Sequence, residues 1–145
     1  MITNHQKDKG NKPKETEHHN WQFRGQTIPA HLFHYLKEGR ITATDFLLLS
    51  MINVLVKPQG EENGIGCFAS LTYLSKAVNV NPTYVSERIS YLAKEDLILI
   101  VKLNGIRYLE TEWSRTAKER SEISGEYGKA LRSAHRKMME KSRRN

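Results

Sequence analysis

The chain lacks most of what marks a secreted or membrane protein. Its only cysteine, Cys67, leaves no partner for an internal disulfide, which favours a reducing compartment. The longest apolar run, FLLLSMINVLV from Phe46 to Val56, falls far short of the ~20 residues a membrane-spanning helix needs. The start, MITNHQKDKG, has no apolar core of the signal-peptide kind. We therefore expect a cytoplasmic protein with no membrane segment. Hydrophobic residues make up 38% of the chain and mean hydropathy is −0.63, values too low for a chain folded throughout, so part of it is expected outside the core.

Chemistry is missing as well. We find no nucleophile paired with a base, no phosphate loop and no internal repeat. A single cysteine cannot build a zinc ribbon. His31 and His34 share a helix face but have no cysteine or carboxylate at ligand spacing, and His18 and His19 fall in a polar stretch. Neither an enzyme, a metal site nor a cofactor is expected. Cys67 reads as a small core residue.

What is present is charge, unevenly placed. The net charge of +7 favours a polyanionic partner. Residues 1–26 carry five basic and three acidic side chains, and residues 27–114 carry eight and nine. Residues 115–145 carry ten and four, so the last segment supplies most of the field.

Residues 1–20 are polar and without periodicity, and read as a disordered, flexible N-terminal arm. Trp21 and Phe23 follow and are expected to dock on the domain. Pro29 to Gly39 predicts a short helix with an apolar stripe of Leu32, Phe33 and Leu36. The strongest helix follows, capped by Thr42 or Thr44 with Asp45 near its positive end. Its Phe46, Leu47, Leu49, Ile52, Val54 and Leu55 are apolar nearly all round, which predicts a central buried helix. GCFA gives only a short strand or extended link. Two helices then adjoin. Ser70 caps the first, with Leu71, Leu74, Ala77 and Val78 inward. Asn81 caps the second, with Pro82 at its first position and Val85, Ile89 and Leu92 inward. LILIVKLNGIRYLE is a hairpin around Asn104-Gly105, whose turn needs positive φ at both residues. Last comes a basic helix or tail over 115–145, its stripe Ile123, Tyr127, Leu131, Ala134 and Met138 broken early by Gly125 and Gly128.

The order helix, short strand, helix, turn, helix, hairpin resembles the winged helix-turn-helix family, over Ile41 to Leu109. It resembles most the subgroup found in plasmid and phage replication proteins and small regulators. The carrying motifs are GCFAS at Gly66 to Ser70, LSKAVNVNPTYVSERISYL at Leu74 to Leu92, and KEDLI at Lys94 to Ile98. Where that subgroup has a glycine at the exit, this chain has Asp96, which tolerates the left-handed conformation better than most residues. Where its reading helix carries Arg or Gln, this chain carries Glu87.

The resemblance implies a mainly α (α+β) fold: a winged helix domain at 21–114 with a two-stranded β wing, between the arm and the basic C-terminal helix. It implies binding of double-stranded DNA, as a transcriptional regulator or in the initiation or control of plasmid or phage replication. Thr83, Tyr84, Ser86, Glu87 and Ser90 would face the major groove, which admits one helix. Lys102, Asn104 and Arg107 would form the wing tip, Ser70, Thr72 and Tyr73 would offer hydroxyls and backbone N–H groups to phosphate at the start of the first motif helix, and Asn81 would be a further DNA-binding residue. The narrow C-terminal stripe is expected either to pair two copies as a homodimer or to fold back on its own core. The alternative is a winged-helix adaptor that docks on protein, favoured by the nearly neutral core and Glu87.

Overall fold

Helix starts fall where side chains can take up the first free backbone N–H groups. The computed structural model describes residues 25–58, 60 and 64–144. The arm and the docking of Trp21 and Phe23 lie outside them. Helix α1 (His31–Lys37) buries only Leu32. Phe33, expected in the stripe, is 56% exposed and lies against the Phe46 ring, 5.2 Å between centroids. Helix α2 (Ala43–Leu55) starts at Thr42, not Thr44: Asp45 N–H donates to Thr42 Oγ1 at 3.0 Å and Thr42 N–H to Asp45 Oδ2 at 2.8 Å. It buries Leu48, Leu49, Ile52, Val54 and Leu55, but leaves Leu47 54% exposed, so one edge of the central helix stays open to water.

Helix α3 (Leu71–Val78) and helix α4 (Pro82–Lys94) follow, then strands β1 (Ile98–Leu103) and β2 (Ile106–Thr111). On α3 the inward places belong to Leu74, Ser75 and Val78, while Ala77 is exposed. Ser75 tolerates burial because its hydroxyl donates to Thr72 O at 2.8 Å. The strands pair antiparallel from Ile98↔Thr111 to Leu103↔Ile106. Asn104 (φ 52°) and Gly105 (φ 78°) close the turn, both left-handed as the dipeptide requires. GCFA contributes one bridge, Cys67 with Leu109, through hydrogen bonds of 2.9 and 2.8 Å. The fold is thus α+β, mostly helical, with a two-stranded antiparallel sheet among the described residues. None of the described helices is long and apolar enough to cross a membrane.

Two cores meet at this ribbon. The helices pack Leu32, Leu48, Leu49, Ile52, Leu74, Val85, Ile89 and Leu92 against Ile98 and Leu109. A second cluster on the other face joins Leu99 and Val101 to Ile123, Tyr127 and Leu131. Burial on both faces explains why LILIV reads as a continuous apolar run rather than an alternating one. Helix α5 (Ala117–Glu122) and helix α6 (Gly125–Arg144) supply the outer layer. The C-terminal stripe therefore packs on its own ribbon, with Ile123, Tyr127 and Leu131 buried and Ala134 and Met138 partly buried against them. Its glycines also have positive roles. Gly125 takes φ 77°, and a Cβ on Gly128 would stand 2.0 Å from Ile123 O. Arg132 Nη1 donates to that same carbonyl at 2.8 Å and to Arg120 O at 3.2 Å, fixing the elbow between α5 and α6.

A buried polar node fastens the layer. Arg115 Nε donates to both oxygens of Glu110, at 2.8 and 2.9 Å, and its Nη1 to Glu119 at 3.1 Å. A further bond reaches Gly64 O. Tyr127 donates its hydroxyl to Glu110 Oε2 at 2.6 Å. Burial, then the Glu110 charge, raise the Tyr127 pKa, so the phenol stays a donor. Burial works against the Arg115 charge, but its bonds and proximity to Glu110 outweigh this and hold the guanidinium charged.

Two substitutions test this layer. Leu131 is fully buried, so Leu131→Ala should cost about 2–5 kcal/mol in a denaturant titration. Glu110→Ala leaves the Arg115 charge buried without its main partner, and should cost about 3–5 kcal/mol. Stability within ~0.5 kcal/mol of the native protein in either case would mean that the outer layer is not docked in solution.

Candidate nucleic-acid interface

The α3–α4 pair is built from short-range bonds. Ser70 Oγ accepts from Tyr73 N–H at 3.0 Å and Asn81 Oδ1 from Tyr84 N–H at 2.8 Å. These two expected DNA contacts therefore already serve as caps. Asn79 (φ 60°) ends α3, and Pro82 opens α4. Thr72 is exposed on α3.

Two sides of α4 are anchored. Val85, Ile89 and Leu92 face the core. On the flank, Arg88 donates to both oxygens of Asp45, at 2.8 and 2.7 Å. Asp45 is fully buried, so one carboxylate both caps α2 and grips α4. Hydrogen bonding to Asp45 raises the Arg88 pKa. The Arg88 guanidinium also lies over the Tyr91 ring at 4.4 Å, and Tyr91 donates its hydroxyl to Arg40 O at 2.7 Å. Tyr84 and Ser86 are half-buried. Thr83, Glu87, Ser90 and Lys94 are exposed. At spacings of four, three and four they form one stripe along the open side.

The exit from α4 carries a functional group that sequence reasoning treated only as a substitute for glycine. Asp96 has φ 63°, with its N–H on Ala93 O at 3.1 Å and the Leu97 N–H on Leu92 O at 2.9 Å. These are the paired bonds of a Schellman ending. Its carboxylate then reaches the outer layer: Oδ2 accepts from Ser142 Oγ at 2.8 Å, and Lys141 Nζ stands 3.4 Å from Oδ1. The Lys141 contact is an ion pair without hydrogen-bond geometry. Asp96 thus joins the end of α4 to the end of α6.

The ribbon leaves this corner and carries its cations outward. Lys102 and Arg107 are register partners on one face. Neither makes an ion pair among the described residues, and no acidic residue lies between Leu97 and Leu109. Lys102 and Asn104 are exposed and Arg107 is half-buried. Helix α6 adds exposed Lys129, Arg136, Lys137, Lys141 and Arg143, offset by Glu126 and Glu140. So the expected reading residues and ribbon cations sit on adjoining elements, while Ser70 and Asn81 are committed to the fold.

Elsewhere the surface offers little chemistry. A cavity of about 580 Å³ beside Trp113 is lined by Gln26, Thr27, Pro29, Asn53 and Ser114 among others, none ionisable. Among the described residues no three His, Cys, Asp or Glu side chains gather as a metal site would require. His31 instead lies 2.6 Å from Glu112. Comparison with protein-family models, with curated proteins and with solved structures finds no match to this chain.

The Asp45 anchor sets the pose of α4. Asp45→Ala removes both Arg88 bonds and uncaps α2, and should cost about 2–3 kcal/mol. Thr42→Ala removes only one cap and should cost about 1 kcal/mol. Thermal unfolding separates them; equal costs would mean that Arg88 contributes nothing beyond the cap.

Proposed function

We propose that the domain is a winged helix that binds double-stranded DNA with sequence preference. In this reading α4 lies in the major groove and the β1–β2 ribbon is the wing. The carrying observation is the stripe Thr83, Glu87 and Ser90. It is the side of α4 turned away from the core and clear of the Arg88 and Tyr91 anchors, and α4 runs directly into a ribbon whose tip carries two cations and no acid. A held helix with short polar side chains suits base edges, and Glu87 can accept from a cytosine amino group. The role is that of a transcriptional regulator or of a replication initiation or control protein on a plasmid or phage. It is a binding role, not an enzymatic one.

The adaptor reading draws on Glu87, which repels phosphate. It needs an exposed apolar patch at this face. The exposed large hydrophobics among the described residues are Phe33, Leu47, Ile106 and Met139; none is on α4, and Ile106 on the ribbon and Met139 on α6 are single residues rather than a patch. That favours DNA.

The test starts from duplexes selected by the protein from a random pool, compared with unrelated DNA at two salt concentrations. Glu87→Ala should relax preference at one or two base pairs by about 1–3 kcal/mol each. An equal rise in affinity for every sequence would show that Glu87 only repels phosphate. The charge on α6 calls for a gentler change than truncation, since removing α6 strips a core. Changing Lys129, Arg136 and Lys137 together to Gln should weaken binding to all duplexes alike. It should flatten the slope of log affinity against log salt by about 0.9 per lost contact. An unchanged slope would place the α6 face away from the backbone.

A further inference from the structure

The wing tip is two-faced. Strand alternation puts Lys102 and Arg107 on one face and Leu103 and Ile106, the last register pair, on the other. Leu103 packs against the second core. Ile106 lies beyond that packing and is 49% exposed. Along β2 burial falls steadily toward the turn, so Ile106 is the leading apolar corner of the ribbon. The turn gives it no cover, because Asn104 and Gly105 form a two-residue loop with no side chain large enough to fold back. Phe33, exposed to a similar degree, at least lies against Phe46.

We infer that Ile106 is a wedge: on DNA the wing tip enters the minor groove, Lys102 and Arg107 meet the flanking phosphates, and Ile106 presses on a base step and bends the duplex. The inference rests on the DNA-binding reading above and adds deformation to it. Apolar side chains at the tip of a cationic ribbon partly unstack a step when inserted from the minor groove. The energy of that deformation depends on the sequence deformed, so the wedge would give preference for a flexible pyrimidine–purine step that α4 does not touch.

The experiment uses the full chain and a selected duplex carrying dyes at its ends. Energy transfer reports the bend, and anisotropy reports affinity. The native protein should shorten the end-to-end distance. Ile106→Thr keeps the branched shape but adds a hydroxyl, and should lose most of the bend and about tenfold in affinity. Ile106→Leu should retain both. Arg107→Gln should weaken binding and flatten its salt dependence while complexes that form stay bent. Unfolding midpoints of these surface variants report whether the fold is kept. If selection retains no duplex, the DNA-binding reading falls and the wedge with it. If DNA is bound straight, or Ile106→Thr bends it as well as the native protein, the wedge alone is wrong.

Discussion

A two-stranded ribbon cannot hold its own shape in water, and the architecture answers that constraint. Strand β1 gives Ile98 to the helical core and Leu99 and Val101 to the outer layer. The Cys67–Leu109 bridge widens the sheet by one residue on the free edge of β2. Glu110, buried beside that bridge, draws Arg115 and Tyr127 onto the ribbon. Gly66 has no room for a side chain because the Tyr127 hydroxyl would stand 2.5 Å from its Cβ. Ribbon, link and C-terminal helices thus define one another, and the tip projects from a base that is clamped on both sides.

The two buried ion pairs, Asp45–Arg88 and Glu110–Arg115, do parallel work in the two layers. The first joins α2 to α4 across 43 positions and the second spans only five, but in each one guanidinium meets both oxygens of a carboxylate. Apolar packing alone is tolerant of small rotations, because contact area changes little as a helix rolls. A planar guanidinium on a carboxylate is not tolerant, since both hydrogen bonds lengthen together. The first pair sets the roll of α4, hence which residues line its open stripe. The second ties the ribbon to the start of α5, and the Tyr127 bond to the same Glu110 seats α6.

Local chemistry was legible in the sequence. Ser70, Asn81 and Pro82 mark helix starts through bonds spanning three residues, and Asn104-Gly105 marks the turn through its own backbone preference. The inward places Val85, Ile89 and Leu92 followed from periodicity. What stayed hidden depends on distance along the chain. Arg88 meets Asp45 across 43 positions and Arg115 meets Gly64 across 51, and no local pattern encodes either bond. Helix α6 showed its stripe plainly, but a stripe does not name its partner. Ala77, expected inward, is exposed, and Ser75 is buried instead because a serine that bonds its own helix carbonyl is cheap to bury.

The lone thiol has a further consequence. Cys67 sits where the helical core meets the ribbon, fully buried in the bridge to Leu109, and burial pushes its pKa up to about 11. In the closed molecule it is both shielded and protonated, and so inert to alkylating and disulfide reagents. It reacts only when the ribbon parts from the helices. The chain therefore carries a native gauge of that opening: the rate at which a thiol reagent consumes Cys67 measures how often the base of the ribbon comes loose, separately from fraying at the ends of the chain.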